Sequence, residues 1–250
     1  PSDDRDAHDD PGVVAFTGVG DPRLFAVDAL ARSVREVLRR DGGEALRYGS
    51  FDSGHAPLRA TVAGMLTSQG IRTSADQVLI TTGSQQALAL VGHLLLRPGD
   101  AVLVEQPTYD HALDLFRTLG ARPIGVPIDG SGLRTDRVDD LLRRHRPRLI
   151  YTIPTFQNPT GVSLAGGRRR QLIELAAHHD VPVVEDDFVR DLRYEGRALP
   201  ALKALDPNGR VVYLGSFAKL LAPALRVGYV VADGPVLARL AELKRVHDLT

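Results

Sequence analysis

Three polar side chains gather in one short stretch, Tyr213-Leu-Gly-Ser216-Phe-Ala-Lys219-Leu-Leu-Ala-Pro-Ala-Leu-Arg226-Val-Gly-Tyr229. A β-branched and aromatic run, Val211 to Leu214, ends in Gly-Ser, and an arginine stands just before a second apolar run, Val227 to Val231. A lysine between two such runs serves as a nucleophile only where desolvation or a neighbouring cation lowers its pKa. Phe217, Leu220 and Leu221 are the apolar neighbours offered here. Ser216 and Arg226 suit a dianionic phosphate, the arginine through its forked donors. An amine beside a phosphate grip points to pyridoxal 5'-phosphate (PLP), held as a Schiff base at Lys219 and tethered at its other end. Taken alone, Lys219 reads as a surface lysine and Arg226 as an ion-pair partner, so the case rests on residues upstream.

Those residues follow other apolar runs. Thr82-Gly83-Ser84-Gln85 opens a helix, where backbone N–H groups make a phosphate seat, although Ser84 serves equally as a simple helix cap. Glu105-Gln-Pro107-Thr-Tyr109 brings a ring that can stack on a flat heterocycle or pack under a loop. Pro154-Thr-Phe-Gln-Asn158-Pro159-Thr-Gly161 is a turn-rich loop in which Asn158 can donate to a phenolate oxygen. Glu185-Asp186-Asp187-Phe188 ends a buried run, where a carboxylate calls for a cation such as a protonated pyridine nitrogen. A divalent metal is the weaker alternative, because no Asp/Asn-x-Asp loop and no His-x-x-x-His helix accompanies the acids. Arg168-Arg-Arg170 and His178-His179 read as solvated helix positions.

Seven β-rich runs frame these loops: Val78 to Thr82, Ala101 to Glu105, Pro123 to Ile128, Leu149 to Ile153, Val181 to Glu185, Val211 to Leu214 and Val227 to Val231. Helix-period segments separate most of them, at 85–96, 109–119, 135–144 and 168–178. Strand–helix alternation predicts an α/β domain with a seven-stranded, mainly parallel sheet, and ligands in such sheets sit at the carboxyl ends of the strands. Two helices precede it, one from Val27 to Leu38 and one opened by Pro57 and closed at Gly70. No Gly-x-Gly-x-x-Gly follows a predicted strand and no P-loop is present, which excludes a dinucleotide fold and P-loop hydrolysis.

Composition removes further classes. Lys plus Arg, 31, balances Asp plus Glu, 31, so no net field favours nucleic acid or an anionic membrane. The absence of cysteine excludes disulfides, thiolate metal sites and cysteine nucleophiles. The acidic start is unlike a signal peptide, and no apolar run reaches the ~20 residues of a membrane span. A cytoplasmic protein is the expectation.

Together the motifs Gly-Ser-Gln-Gln, Pro-x-Tyr, Asn-Pro-Thr-Gly, Glu-Asp-Asp-Phe, Ser-x-x-Lys and Arg resemble the large domain of fold-type I PLP-dependent aminotransferases of class I/II, over roughly residues 13 to 250. Tyr48 to Arg59, Glu185 to Tyr194 and Tyr213 to Tyr229 resemble the branch that includes MocR/GntR-type regulators and aminoadipate-type aminotransferases. The resemblance implies that Lys219 binds the cofactor aldehyde and shuttles the substrate proton. Asp186 would hold the ring nitrogen, Tyr109 stack on the ring and Asn158 bond the phenolate. Ser84, Gln85, Ser216 and Arg226 would hold the phosphate. Tyr48 would reach the cofactor phosphate of a partner subunit, giving a homodimer, and the bonds before Pro107 and Pro159 would be cis.

Departures accompany the likeness. Phe188 stands where the branch usually has tyrosine, Ala218 replaces a serine, and the C-terminal small domain with its carboxylate-binding arginine is missing. The domain expectation is a linker at 1–12, a PLP-binding large domain at 13–235 and the start of a truncated interdomain helix at 236–250. The implied function is transamination of an α-amino acid with a 2-oxo acid. The alternative is the effector domain of a MocR/GntR-type regulator; no recognition helix is present, so nucleic-acid binding by this segment is not expected.

Overall fold

The computed structural model describes residues 21–49 and 53–248. The expected linker at 1–12, the expected onset of order at Val13, and Ser50, Phe51 and Asp52 lie outside the described residues.

Each of the seven apolar runs is a strand, and an eighth, two-residue strand is added: β1 (Val78–Thr81), β2 (Ala101–Gln106), β3 (Arg122–Asp129), β4 (Gly132–Leu133), β5 (Leu149–Thr152), β6 (Val183–Asp186), β7 (Val211–Ser216) and β8 (Gly228–Val231). They form one sheet in the order β1-β8-β7-β6-β5-β2-β3-β4. The pairs β2–β3, β2–β5, β5–β6 and β6–β7 are parallel, as strand–helix alternation requires. No α-helix lies between β7 and β8 to carry the chain back, so β8 returns antiparallel to β7 and also pairs antiparallel with β1.

Eight α-helices are described: α1 (Val27–Asp41), α2 (Ala56–Ser68), α3 (Ser84–Leu95), α4 (Asp110–Thr118), α5 (Thr135–His145), α6 (Gly166–His178), α7 (Leu202–Leu205) and α8 (Gly234–His247). Because strand side chains alternate between faces, the sheet builds two apolar layers. Tyr151, Val184, Val212 and Leu214 face α3, α4 and α8, through residues such as Leu88, Phe116 and Leu240. Ile150, Val183 and Val211 face the other way, onto Val138 of α5 and Leu172 of α6. Each fully covered side chain of this kind contributes about 1.5–3 kcal/mol, and together they fix the strand ends that carry the polar loops. Leu237 and Leu240 of α8 belong to the first layer. The apolar face of α1 has the expected helical spacing, yet Val27, Leu30 and Val34 are exposed.

Candidate functional site

The Lys219 segment is the loop of the β7–β8 hairpin. Ser216 pairs with Gly228, and the Phe217 N–H donates to the Val227 carbonyl at 3.0 Å, so the two strands close the loop at its base. Ser216 Oγ accepts the Ala218 N–H at 3.1 Å, tethering the chain one residue before Lys219. Arg226 has φ of 50°, a left-handed conformation that costs a non-glycine residue. Its guanidinium donates to the Thr82 carbonyl at 3.1 Å and to the Pro223 carbonyl at 3.4 Å, binding the hairpin to the β1–α3 junction.

Two glycines allow that approach. A Cβ on Gly83, which has φ of 90°, would overlap the Arg226 guanidinium, and a Cβ on Gly228 would lie 2.6 Å from the Gly83 carbonyl carbon. The capping position left open for Ser84 falls to Gly83, which makes no side-chain cap bond. Ser84 and Gln85 therefore start α3, where backbone N–H groups and the helix dipole favour an anion.

The three carboxylates at the end of β6 are sorted by strand alternation. Glu185 points away from the cleft and accepts the Leu202 and Lys203 N–H groups, each at 2.8 Å, capping α7. Asp187 on the same face accepts Arg190 Nη1 and the Tyr213 hydroxyl, both at 3.1 Å. Asp186 faces the other way and accepts the Tyr151 hydroxyl on Oδ2 at 2.9 Å, while its Oδ1 is buried and has no hydrogen-bond partner among the described residues. Burial pushes the Asp186 carboxyl up to about 7, against the Tyr151 donor. Acids on opposite faces cannot converge on one ion, and among the described residues no group of three His, Asp or Glu is placed to hold a metal.

One cleft of about 360 Å³ gathers Ser84, Gln85, Tyr109, Asn158, Asp186, Ser216, Lys219 and Arg226, eight of the nine expected site residues. His111, Phe188, Ala218 and Pro223 complete its lining. Tyr48, the ninth, stands 72% exposed and does not line the cleft of its own chain. The apolar cover expected around Lys219 is a correction: Leu220 and Leu221 are exposed on the hairpin loop, and only Phe217 turns inward to pack beside Tyr229.

Two loops are held by groups that sequence patterning did not single out. Glu105, buried at the end of β2, accepts the Thr152 hydroxyl at 2.6 Å, the Ile153 N–H at 3.1 Å and Gln157 Nε2 at 3.2 Å. Gln157 Nε2 also donates to the Pro107 carbonyl at 2.8 Å, so one acid and one amide couple the Tyr109 loop to the Asn158 loop. Both Gln106–Pro107 and Asn158–Pro159 are cis, as the resemblance implied. Arg169 is the second correction. It is fully buried, with donors on the carbonyls of Pro154, Leu164 and Pro200 and on Thr155 Oγ1, because the irregular Asn158 loop brings its carbonyls under the start of α6. His179 of the supposed solvated pair is partly covered and meets Asp139 at 2.7 Å. Of the missed residues only Tyr151 left a signal, a lone phenol in a short, mainly apolar strand.

Comparison with known proteins decides what this architecture is. The description of aminotransferase class I and II matches residues 17–246. The chain belongs to that family. It is 37% identical to aromatic-amino-acid aminotransferase 1 of Thermococcus litoralis, over 93% of this chain and 57% of the relative. It is 35% identical to YisV, a helix-turn-helix transcriptional regulator of Bacillus subtilis, over 93% of this chain and 47% of the relative. The crystal structure of the α-aminoadipate aminotransferase LysN of Thermus thermophilus, complexed with N-(5'-phosphopyridoxyl)-L-leucine, superposes with a TM-score of 0.86 at 41% identity, covering 93% of this chain and 59% of that one. The chain thus spans less than two thirds of the length of the relatives it matches. Among the described residues no helix is long and apolar enough to cross a membrane.

Proposed function

We propose that the protein transfers an amino group from an α-amino acid to a 2-oxo acid with PLP, and that this chain supplies the cofactor-holding domain. The observation that carries the reading is the orphaned Oδ1 of Asp186, buried in a cleft that also holds Lys219 and the Ser84, Ser216 and Arg226 anion seat. A dianion fits there: α3 offers its N-terminal donors to a cleft lined by Ser84, Gln85, Ser216 and Arg226, and the glycines at 83 and 228 let the Arg226 hairpin pack close against that helix start. A cation fits Asp186 Oδ1, which it would return to the ionised state that burial disfavours.

When bound, the cofactor supplies an aldehyde for an amine and a ring that accepts an electron pair. The chain does the rest. Ser84, Gln85, Ser216 and Arg226 would hold the phosphate, Tyr109 would cover the ring, and Asn158 would donate to its phenolate oxygen. Asp186 would keep the ring nitrogen protonated. Lys219 would be the amine that meets the aldehyde, and once displaced by the substrate amine it would take and return the proton at the substrate α-carbon. Phe188 lines the cleft without offering a donor, so in this reading the phenolate would be served by Asn158.

The same reading has the whole protein act in the cytoplasm as a homodimer in which exposed Tyr48 reaches the partner's cofactor phosphate. The match to YisV over 93% of this chain favours a second reading, an effector domain in which the same cleft serves transcriptional control. An upstream winged helix-turn-helix in the full reading frame would decide for it.

The test is reconstitution with PLP, borohydride reduction and mass analysis of peptides. A covalent adduct on the peptide containing Lys219, lost in Lys219→Ala, is expected. An adduct retained by the variant would refute the assignment.

A further inference from the structure

We propose that Tyr151 is a positioning residue for the ring nitrogen of the cofactor: by donating to Asp186 Oδ2 it fixes that carboxylate so that Oδ1 alone is presented to the cleft. The inference rests on the PLP reading above.

The placement follows from the sheet. Tyr151 in β5 is in register with Val184 of the parallel strand β6. Side chains two apart share a face, so Asp186 is the diagonal neighbour of Tyr151, within reach of a long aromatic side chain. The Tyr151 ring is fully buried, edge-on to Phe116 with centroids 5.6 Å apart, so it has one orientation to offer. Its hydroxyl meets Oδ2 at 2.9 Å. Were its role packing alone, phenylalanine would fill the same space, and a buried hydroxyl carries a desolvation cost unless bonded. The bond also matters to Asp186, which is buried beside Asp187, has Glu105 nearby, and has no other side-chain donor among the described residues. A donor on Oδ2 holds the carboxylate plane and favours its ionised form.

The test is Tyr151→Phe in the protein as it exists, measured alone and combined with Asp186→Ala. PLP affinity is read by equilibrium dialysis, and the ring nitrogen by its 15N resonance in protein loaded with labelled PLP. Tyr151→Phe is expected to weaken PLP binding about tenfold and to move the 15N resonance from the pyridinium toward the neutral pyridine position. In the Asp186→Ala background it is expected to change affinity by less than twofold, because the group it acts through is gone. Equal losses in both backgrounds, or an unmoved 15N resonance, would overturn the assignment in favour of a packing role. Should the phenylalanine variant not fold, Tyr151→Met fills comparable volume without a donor and gives the same comparison. A wild-type protein that binds no PLP would instead bring down the reading beneath it, a result distinct from a PLP-binding protein indifferent to Tyr151.

Discussion

A single methyl at Gly228 should separate the anion seat from the rest of the fold. A Cβ there would lie 2.6 Å from the Gly83 carbonyl carbon and 2.8 Å from both Gly83 Cα and the Ser84 nitrogen. Carbon atoms rest at about 3.5 Å or more, so roughly 0.9 Å must be found. β8 cannot supply it sideways, because Gly228 is paired with Thr81 on one side and Ser216 on the other. The relief must come from the first turn of α3. Overpacking of this kind costs about 1–3 kcal/mol, and a misplacement near 1 Å lowers the performance of aligned groups by as much as ~100-fold.

Gly228→Ala is therefore expected to weaken PLP about 10- to 100-fold in a fluorescence titration. Its melting temperature should fall by about 2–12 °C, at roughly 2–4 °C per kcal/mol for a chain of this size. Gly167→Ala is the control: it adds its methyl to the first turn of α6, where nothing lies within 4 Å, and should leave PLP affinity unchanged. A Gly228→Ala protein that binds PLP within twofold of the wild type at an unchanged melting temperature would refute the packing argument.

Two further substitutions probe the supports of the cleft. Arg169→Leu leaves three carbonyls and the Thr155 hydroxyl short of donors in a buried site; a loss of about 3–5 kcal/mol is expected in denaturant unfolding. Arg169→Lys should not rescue it, since one ammonium cannot span that set of acceptors, and a wild-type transition for the lysine variant would contradict this. Glu105 is raised to about 7 from 4.5, burial outweighing its three donors. Between roughly pH 5 and 7 the unfolded chain has released this proton while the folded one keeps it, so stability falls as pH rises through that window and levels off above it. Asp186, raised to about 7, adds a slope of the same sign. Glu105→Gln should flatten the curve without abolishing the slope, and parallel curves for wild type and variant in denaturant titrations from pH 5 to 8 would rule out the assignment.

What could be read from the residue string divides along physical lines. Strands buried on both faces are continuous apolar runs, which is why β1, β2 and β5 to β8 stood out; β3, with only Val126 buried, showed itself by Ile124, Val126 and Ile128 alternating along one face. β4 and α7, at two and four residues, carry too little pattern to be seen. The residues that gather in the cleft were legible because ligands gather after strand ends, and Ser84, Tyr109, Asn158, Asp186 and Lys219 each follow or close such a run. Their supports were not. Arg169 sits in a triplet of arginines, and nothing local distinguishes the one whose side chain turns under the Asn158 loop. Leu220 and Leu221 promised cover for Lys219, but a hairpin loop at a sheet edge has no second layer to press them inward.

The reversal of β8 explains why Arg226 is in the cleft at all. β1 and β7 both run antiparallel to β8, so their carboxyl ends, carrying Thr82 and Ser216, lie at the edge where β8 begins. That edge also carries Tyr109 beyond β2, Asn158 beyond β5 and Asp186 at the end of β6. Had a helix carried the chain back to make β8 parallel, Arg226 would enter from the far edge. Four residues at ~3.3 Å each would then separate it from the α3 terminus by more than 10 Å, beyond the reach of its bond to the Thr82 carbonyl. A short loop in place of a crossover therefore brings the lysine and the arginine to one edge, and the glycines at 83 and 228 let the hairpin pack closely against the start of α3.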